Sequence, residues 1–134
     1  MIFQNSNIIW TETDPQGRKV ILKQATFEFH IAGADHNQSD SDFRRRIVQQ
    51  ARQTINSPEF IIKESSRNIY LKLIIIPYQD NLIKIKPLKV VVDADREPNE
   101  IVTWTPLNKM NGVIEKEAVI YASAETDVPN SNVR

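Results

Sequence analysis

Five side chains spread along the chain carry groups that cooperate in proton transfer and anion binding: His30, Arg44, Tyr70, Lys72 and Thr103. Histidine gains and loses a proton near neutral pH, so it can serve as an acid or a base. Arginine stays charged and grips a phosphate with two parallel N–H donors. Lysine adds a point charge that favours a more negative transition state. Threonine and tyrosine hydroxyls can orient phosphate oxygens. Each residue also has an ordinary structural use. His30 suits the surface of a hairpin, and Arg44 an ion pair with Asp40 or Glu28. Lys72 suits a solvated strand whose charge blocks edge pairing, Tyr70 a half-buried strand position, and Thr103 a strand by propensity.

Other groupings carry less chemistry. His30, Asp35 and His36 are nitrogen and oxygen donors, but their spacing matches no zinc motif, and His36 reads as a solvated loop residue. Asp93, Asp95, Glu97 and Glu100 form an acidic stretch without the glycine or twelve-residue spacing of a calcium loop. No metal or cofactor is expected.

Composition narrows the field. The 134 residues include no cysteine, which removes disulfides, thiolate zinc sites and thiol catalysis, and fits a cytoplasmic protein. The three glycines, Gly17, Gly33 and Gly112, are far apart, so the P-loop and dinucleotide-binding fingerprints are excluded. Hydrophobic residues at 40% and charged residues at 25% are ordinary globular composition. The longest aliphatic run is Leu73–Ile76, too short to span a membrane. Net charge is zero, yet unevenly spread: residues 1–43 balance at −3, residues 44–91 at +7 and residues 92–134 at −4. A basic middle third can form a surface that attracts phosphates.

The elements that must position these groups follow from periodicity and turn signals. Asn7–Glu12 and Lys19–Ile31 read as strands of an N-terminal hairpin joined by the turn Asp14-Pro15-Gln16-Gly17. In the second strand Phe27, Phe29 and Ile31 alternate with Thr26, Glu28 and His30, placing His30 away from the core. A polar loop, Ala32–Ser41, leads to a helix over Asp42–Ile55 whose apolar stripe holds Phe43, Ile47, Val48, Ala51 and Ile55. Arg44 falls inside that stripe, where a charge needs a partner or borders a cleft. Arg45 and Arg52 flank it. The remainder reads as strands at Phe60–Glu64, Arg67–Pro77, Leu82–Asp93, Glu100–Thr105 and Ala118–Ala122, with Tyr78–Asn81 a turn. In Arg67–Pro77 the set Ile69, Leu71, Leu73, Ile75 is expected to face the helix. In Glu100–Thr105, Ile101, Thr103 and Thr105 are expected to share one face and Trp104 the other, in the core. The whole predicts an α+β domain over residues 1–125: an N-terminal β-hairpin and one main α-helix packed on an antiparallel meander of about four strands. Residues 126–134 are expected to form a disordered tail.

A histidine at a strand end, an arginine-bearing helix, Ser57-Pro58-Glu59, a strand with Tyr70, the strand Leu88–Asp93 and the strand Glu100–Trp104 follow one another in this order. Over roughly Phe27–Lys109 the arrangement resembles the barnase–EndoU–colicin–RelE-like ribonucleases, small toxin- or phage-associated domains.

The resemblance implies metal-independent cleavage of RNA, by attack of the 2′-hydroxyl on the adjacent phosphate to give a 2′,3′-cyclic phosphate. It makes His30 the acid/base, Arg44 a phosphate clamp, Tyr70 and Lys72 sheet residues near the scissile phosphate, and Thr103 and Thr105 late-strand hydroxyls. Arg45, Arg52, Lys63 and Arg67 become candidate substrate contacts. The implied partners are RNA, tRNA among the candidates, and an antitoxin or immunity protein. Two other readings stand beside this one. The first is an inactive binding or structural module with the same fold. The second is plain nucleic-acid binding by the basic third, without cleavage.

Overall fold

The computed structural model describes residues 7–33, 38–77, 83–109 and 118–123. Asp14-Pro15-Gln16-Gly17 reverses the chain as its residue types predict. The Gly17 amide donates to the Asp14 carbonyl at 3.0 Å, and Gly17 takes a φ of 89° that a side chain would disfavour. The turn joins β1 (Ile8–Thr13) to β2 (Lys19–Lys23) as an antiparallel hairpin.

The second arm does not run on to Ile31. It stops at Lys23, and the chain enters a helical turn α1 (Gln24–Thr26) that widens into a π-helical turn, Phe27–Ile31. The Ala32 amide donates to the Phe27 carbonyl, five residues back, at 2.9 Å. Phe27 and Ile31 are buried, while Phe29, expected in the core, is 71% exposed. Spacing of four, not two, sets the inward face here.

The helix expected over Asp42–Ile55 is two helices, α2 (Gln38–Arg46) and α3 (Val48–Asn56), with Ile47 between them at φ −105°, ψ 22°. The apolar stripe survives the break, with Ile47, Ala51 and Ile55 buried.

Then follow β3 (Phe60–Glu64), β4 (Arg67–Pro77), β5 (Ile83–Asp93), β6 (Asn99–Pro106) and β7 (Val119–Ala122). Among the described residues the seven strands form one sheet in the order β1-β2-β6-β5-β4-β3-β7. The expectation of one main helix on a four-stranded meander is therefore corrected. The sheet is larger, it is mixed because β2 lies parallel to β6, and among the described residues three α-helices and a π-turn accompany it. The parallel join links residues about eighty positions apart (Val20 with Asn99, Ile21 with Glu100), which no local pattern encodes. The hairpin turn also reaches the far end of the sheet: Gln16 Nε2 donates to the Ile120 carbonyl of β7 at 2.9 Å.

One face of the sheet packs on Ile47, Ala51 and Ile55 with Tyr70, Ile74, Ile76, Leu88, Val90 and Trp104. The other carries a smaller cluster built on Ile62, Ile69, Leu71 and Val91. The assignment of β4 faces is thus reversed: the Tyr70 set faces the helices, and Leu73 and Ile75 are exposed. In β6 the pairing slips between Val91 and Val92, so that Val92 faces Ile101 and Val91 faces Thr103. Val102 is the extra residue of a bulge. Ile101 and Trp104 consequently share the helix-side core, whereas simple alternation separates them. Among the described residues no helix is long and apolar enough to cross a membrane. Asp35, His36, the Tyr78–Asn81 turn and the 126–134 tail lie outside the described residues.

Candidate active site

β2 pairs with β6 only as far as Glu100. Beyond that rung, α1 and the π-turn pack against β6. This substitution of helix for strand creates the site. It lays His30 against the same cleft as Thr103, a cavity of about 510 Å³. A π-helical turn re-aims its side chains relative to an α-helix and recurs at functional sites. Here Gly33 allows it: a β-carbon at Gly33 would collide with the Phe29 carbonyl oxygen.

α2 closes the site from the other side. Trp104, fully buried, donates from Nε1 to the Arg44 carbonyl at 3.3 Å. Its ring lies 5.8 Å from that of Phe27 in the π-turn. One core residue thus ties together the turn bearing His30 and the helix bearing Arg44. The Arg44 side chain, half-buried, reaches the two threonines of β6. Nη1 donates to Thr103 Oγ1 at 3.4 Å and Nη2 to Thr105 Oγ1 at 3.3 Å. These bonds are long, and they aim the fork along β6, with both hydroxyls close to an anion placed there. The expectation that a charge inside the apolar stripe borders a cleft or finds partners describes this residue well.

Neighbouring cations are held differently. Arg45 donates to Glu28 Oε1 at 2.8 Å and stacks 5.4 Å from the Phe27 ring. The hydrogen bond that Arg45 donates to Glu28 raises the Arg45 pKa. Lys23 pairs with Glu100 at 3.1 Å and Arg96 with Asp93 at 3.3 Å, all four lining the His30 cleft. Arg67 occupies the same rung, opposite Asp93, which in turn pairs with Glu100.

The remaining candidates lie elsewhere. Tyr70 is buried and its hydroxyl donates to Asp14 Oδ2 at 2.6 Å beneath the hairpin turn. Burial and then the Asp14 hydrogen bond push its pKa up, outweighing Arg18. It is a neutral donor to a buried carboxylate. Lys72 donates from Nζ to the Ser57 carbonyl at the end of α3, 2.8 Å away, where a cation suits the helix C-terminus. It lines a second cleft, about 570 Å³, with Glu59 and Tyr121. Arg52 is bonded to Glu12 at 2.9 Å. Lys63 is exposed on β3. The structure therefore gathers His30, Arg44, Thr103 and Thr105, and sets Tyr70 and Lys72 apart from them.

Sequence reasoning missed Lys23, Arg96 and Glu100 as cleft residues. Glu100 and Asp93 stood out only as acidic composition. Their signal is the long-range pairing that brings β2 and the β5–β6 turn together. Among the described residues no group of three or more histidine, aspartate or glutamate side chains is placed to hold a metal ion.

A family model described as phage-Barnase-EndoU-ColicinE5/D-RelE like nuclease2 matches residues 4–121. No curated protein and no solved structure matches the chain. The matched span takes in every residue lining the His30 cleft, together with Arg44 and Thr105 beside it, and the chain belongs to this barnase–EndoU–colicin–RelE-like nuclease family.

Proposed function

We propose that the chain is a metal-independent endoribonuclease that drives the 2′-hydroxyl onto the neighbouring phosphorus. The products are a 2′,3′-cyclic phosphate and a 5′-hydroxyl. The observation that supports this reading most is the approach of Arg44 to Thr103 and Thr105 beside a cleft that His30 also lines.

In this reading the scissile phosphate sits against Arg44. Its planar fork donates two charge-assisted hydrogen bonds to non-bridging oxygens. They strengthen as the phosphorane gains negative charge, which is what lowers the barrier. Thr103 and Thr105 orient the fork and offer hydroxyl donors to the same oxygens. His30 supplies a proton carrier at the mouth. Lys23 and Arg96 are paired with Glu100 and Asp93, so the attraction for the phosphate rests on Arg44.

The test is incubation of the purified protein with total RNA and tRNA in excess EDTA, followed by end-group analysis. Discrete fragments with cyclic phosphate ends are expected, and their formation should fall by at least ~100-fold in His30→Ala and in Arg44→Ala. Normal cutting by both variants would overturn the site assignment. Intact RNA, with retained salt-sensitive binding, would instead identify a binding module.

A further inference from the structure

β4 and β5 pair with each other along their whole length, from Arg67 with Asp93 to Pro77 with Ile83. Their neighbours stop short. β3 pairs with β4 as far as Leu71, and β6 with β5 as far as Leu88. The rungs from Leu73–Pro87 to Pro77–Ile83 therefore form a two-stranded arm, with no further strand on either side among the described residues. At the usual rise per residue the arm is about 15 Å long. Its helix-side face is anchored, because Ile74 and Ile76 are buried in the main core. Its other face is bare: Leu73, Ile75, Ile83 and Ile85 are 47%, 58%, 61% and 64% exposed. Four large aliphatic side chains held open to water on an anchored scaffold mark a contact surface.

The main chain of the arm decides what can bind there. The Pro87 carbonyl turns toward β6, where it accepts the Leu107 amide at 2.8 Å. In an antiparallel ladder every second residue turns its main-chain groups to the same side. Ile85 and Ile83 therefore direct their amides and carbonyls outward, past the end of β6. Such an edge is a template for one more strand. The opposite edge is less open, since the Glu59 carboxylate accepts the Leu73 amide at 3.3 Å and Pro77 has no amide to give. A strand added beside Ile83–Pro87 would send alternate side chains to the two faces. One set would meet Ile83 and Ile85, and the other Lys84 and Lys86. Among the described residues the charged side chains of the arm and its base are Lys72, Lys84 and Lys86, all positive. We propose that the β5 edge over Ile83–Pro87 is a docking site for an extended segment of a partner protein in which apolar and acidic residues alternate. A second copy of this chain fits the edge worse, because two-fold antiparallel pairing sets lysine opposite lysine, and like charges so placed repel. A bilayer also fits worse, because lipid leaves outward main-chain groups unpaired. The inference stands apart from the ribonuclease reading: Ile83 lies at the other end of β5 from Asp93, which lines the His30 cleft.

The probe is an end-blocked peptide of about nine residues that alternates valine and glutamate, titrated into the isotopically labelled full chain and followed by amide NMR. The Ile83 and Ile85 amides should shift and exchange more slowly with solvent, and the affinity should fall as salt is added. A peptide with lysine in place of glutamate should bind at least ~10-fold more weakly. The double variant Lys84→Glu with Lys86→Glu should reverse that preference, with a thermal melt to check its fold. Methylation of the peptide nitrogens that face the edge should also weaken binding at least ~10-fold, since they supply the ladder hydrogen bonds. Equal binding of the two peptides, or no shift at millimolar concentration of either, would overturn the proposal. So would sedimentation of the unliganded protein as a dimer that Ile85→Glu dissociates, which assigns the face to a second copy. Co-sedimentation with phosphatidylglycerol vesicles that Ile85→Glu abolishes, without peptide binding, would assign it to a membrane and overturn the proposal equally.

Discussion

Arg44 is held by geometry that a lysine cannot reproduce. Its two Nη atoms address two hydroxyls on one strand, Thr103 and Thr105, and a planar fork is the only cationic side chain that does so. Arg44→Lys should therefore behave nearly as badly as Arg44→Ala in an RNA-cleavage assay, despite keeping the charge. Thr103→Val keeps the strand propensity and removes one anchor, and should lower cleavage by roughly tenfold. Away from the cleft, Tyr70→Phe deletes the donor to the buried Asp14 carboxylate. It should cost about 1–3 kcal/mol in denaturant unfolding. Glu12 offers a pH test. Burial raises its pKa, but hydrogen bonds from Arg52, Thr13 and Asn56 outweigh that, and the net shift is below the ordinary 4.5. A carboxyl with a depressed folded-state pKa stabilises the fold above its unfolded value and loses that contribution as pH falls through the folded one. The stability gap between wild type and Glu12→Gln should thus be present at pH 7 and shrink progressively as pH falls below 4.5, as a series of thermal melts across acid pH would show. The residue types at the site were readable directly from the chain. Histidine, arginine and threonine announce their chemistry by composition, and Arg44 announced its unusual place by lying inside an apolar stripe. Tyr70 and Lys72 did not reveal that their polar atoms are spent on Asp14 and on the end of α3, because those partners are distant in sequence.

At the level of elements, the segment carrying His30 is the instructive case. Thr26–Ile31 alternates as a strand would, yet Phe27 and Ile31 are also four apart, and the four-residue spacing is the one the fold uses. Once β2 has left the edge of β6, no ladder partner is available to a continuing strand, and a helical turn satisfies its own backbone instead. Gly33 is the local requirement of that choice. Gly33→Ala would press a methyl group onto the Phe29 carbonyl and should displace the π-turn, lowering both thermal stability and cleavage. Gly17→Ala, with open space around it but a φ of 89°, should cost only about 1 kcal/mol and leave cleavage unchanged. The faces of β4 were unreadable for a different reason. Its central residues are apolar on both sides because both sides are covered, so apolarity cannot say which side the helices take. The bulge at Val102 likewise leaves no mark in composition, yet it sets Trp104 into the core while Thr103 and Thr105 stay with Arg44.

Across the whole molecule, the strand segments were largely legible and their assembly was not. Local periodicity located stretches that became β1 and β3–β7, with β2 shorter than expected, whereas their order in the sheet rests on two long-range joins: the antiparallel pairing of β3 with β7, and the parallel contact between Val20–Ile21 and Asn99–Glu100. That contact has a consequence in time. A chain is made from its N-terminus, so His30 and Arg44 leave the ribosome well before β6. Until Asn99–Pro106 has emerged, β2 has no parallel neighbour, Trp104 is not there to bind the Arg44 carbonyl, and the threonines that aim the guanidinium do not exist. The order of the sheet thus acts as a clock. A site assembled in this way is complete only once β6 has been made, and until then the turn bearing His30 and the helix bearing Arg44 lack the strand that joins them.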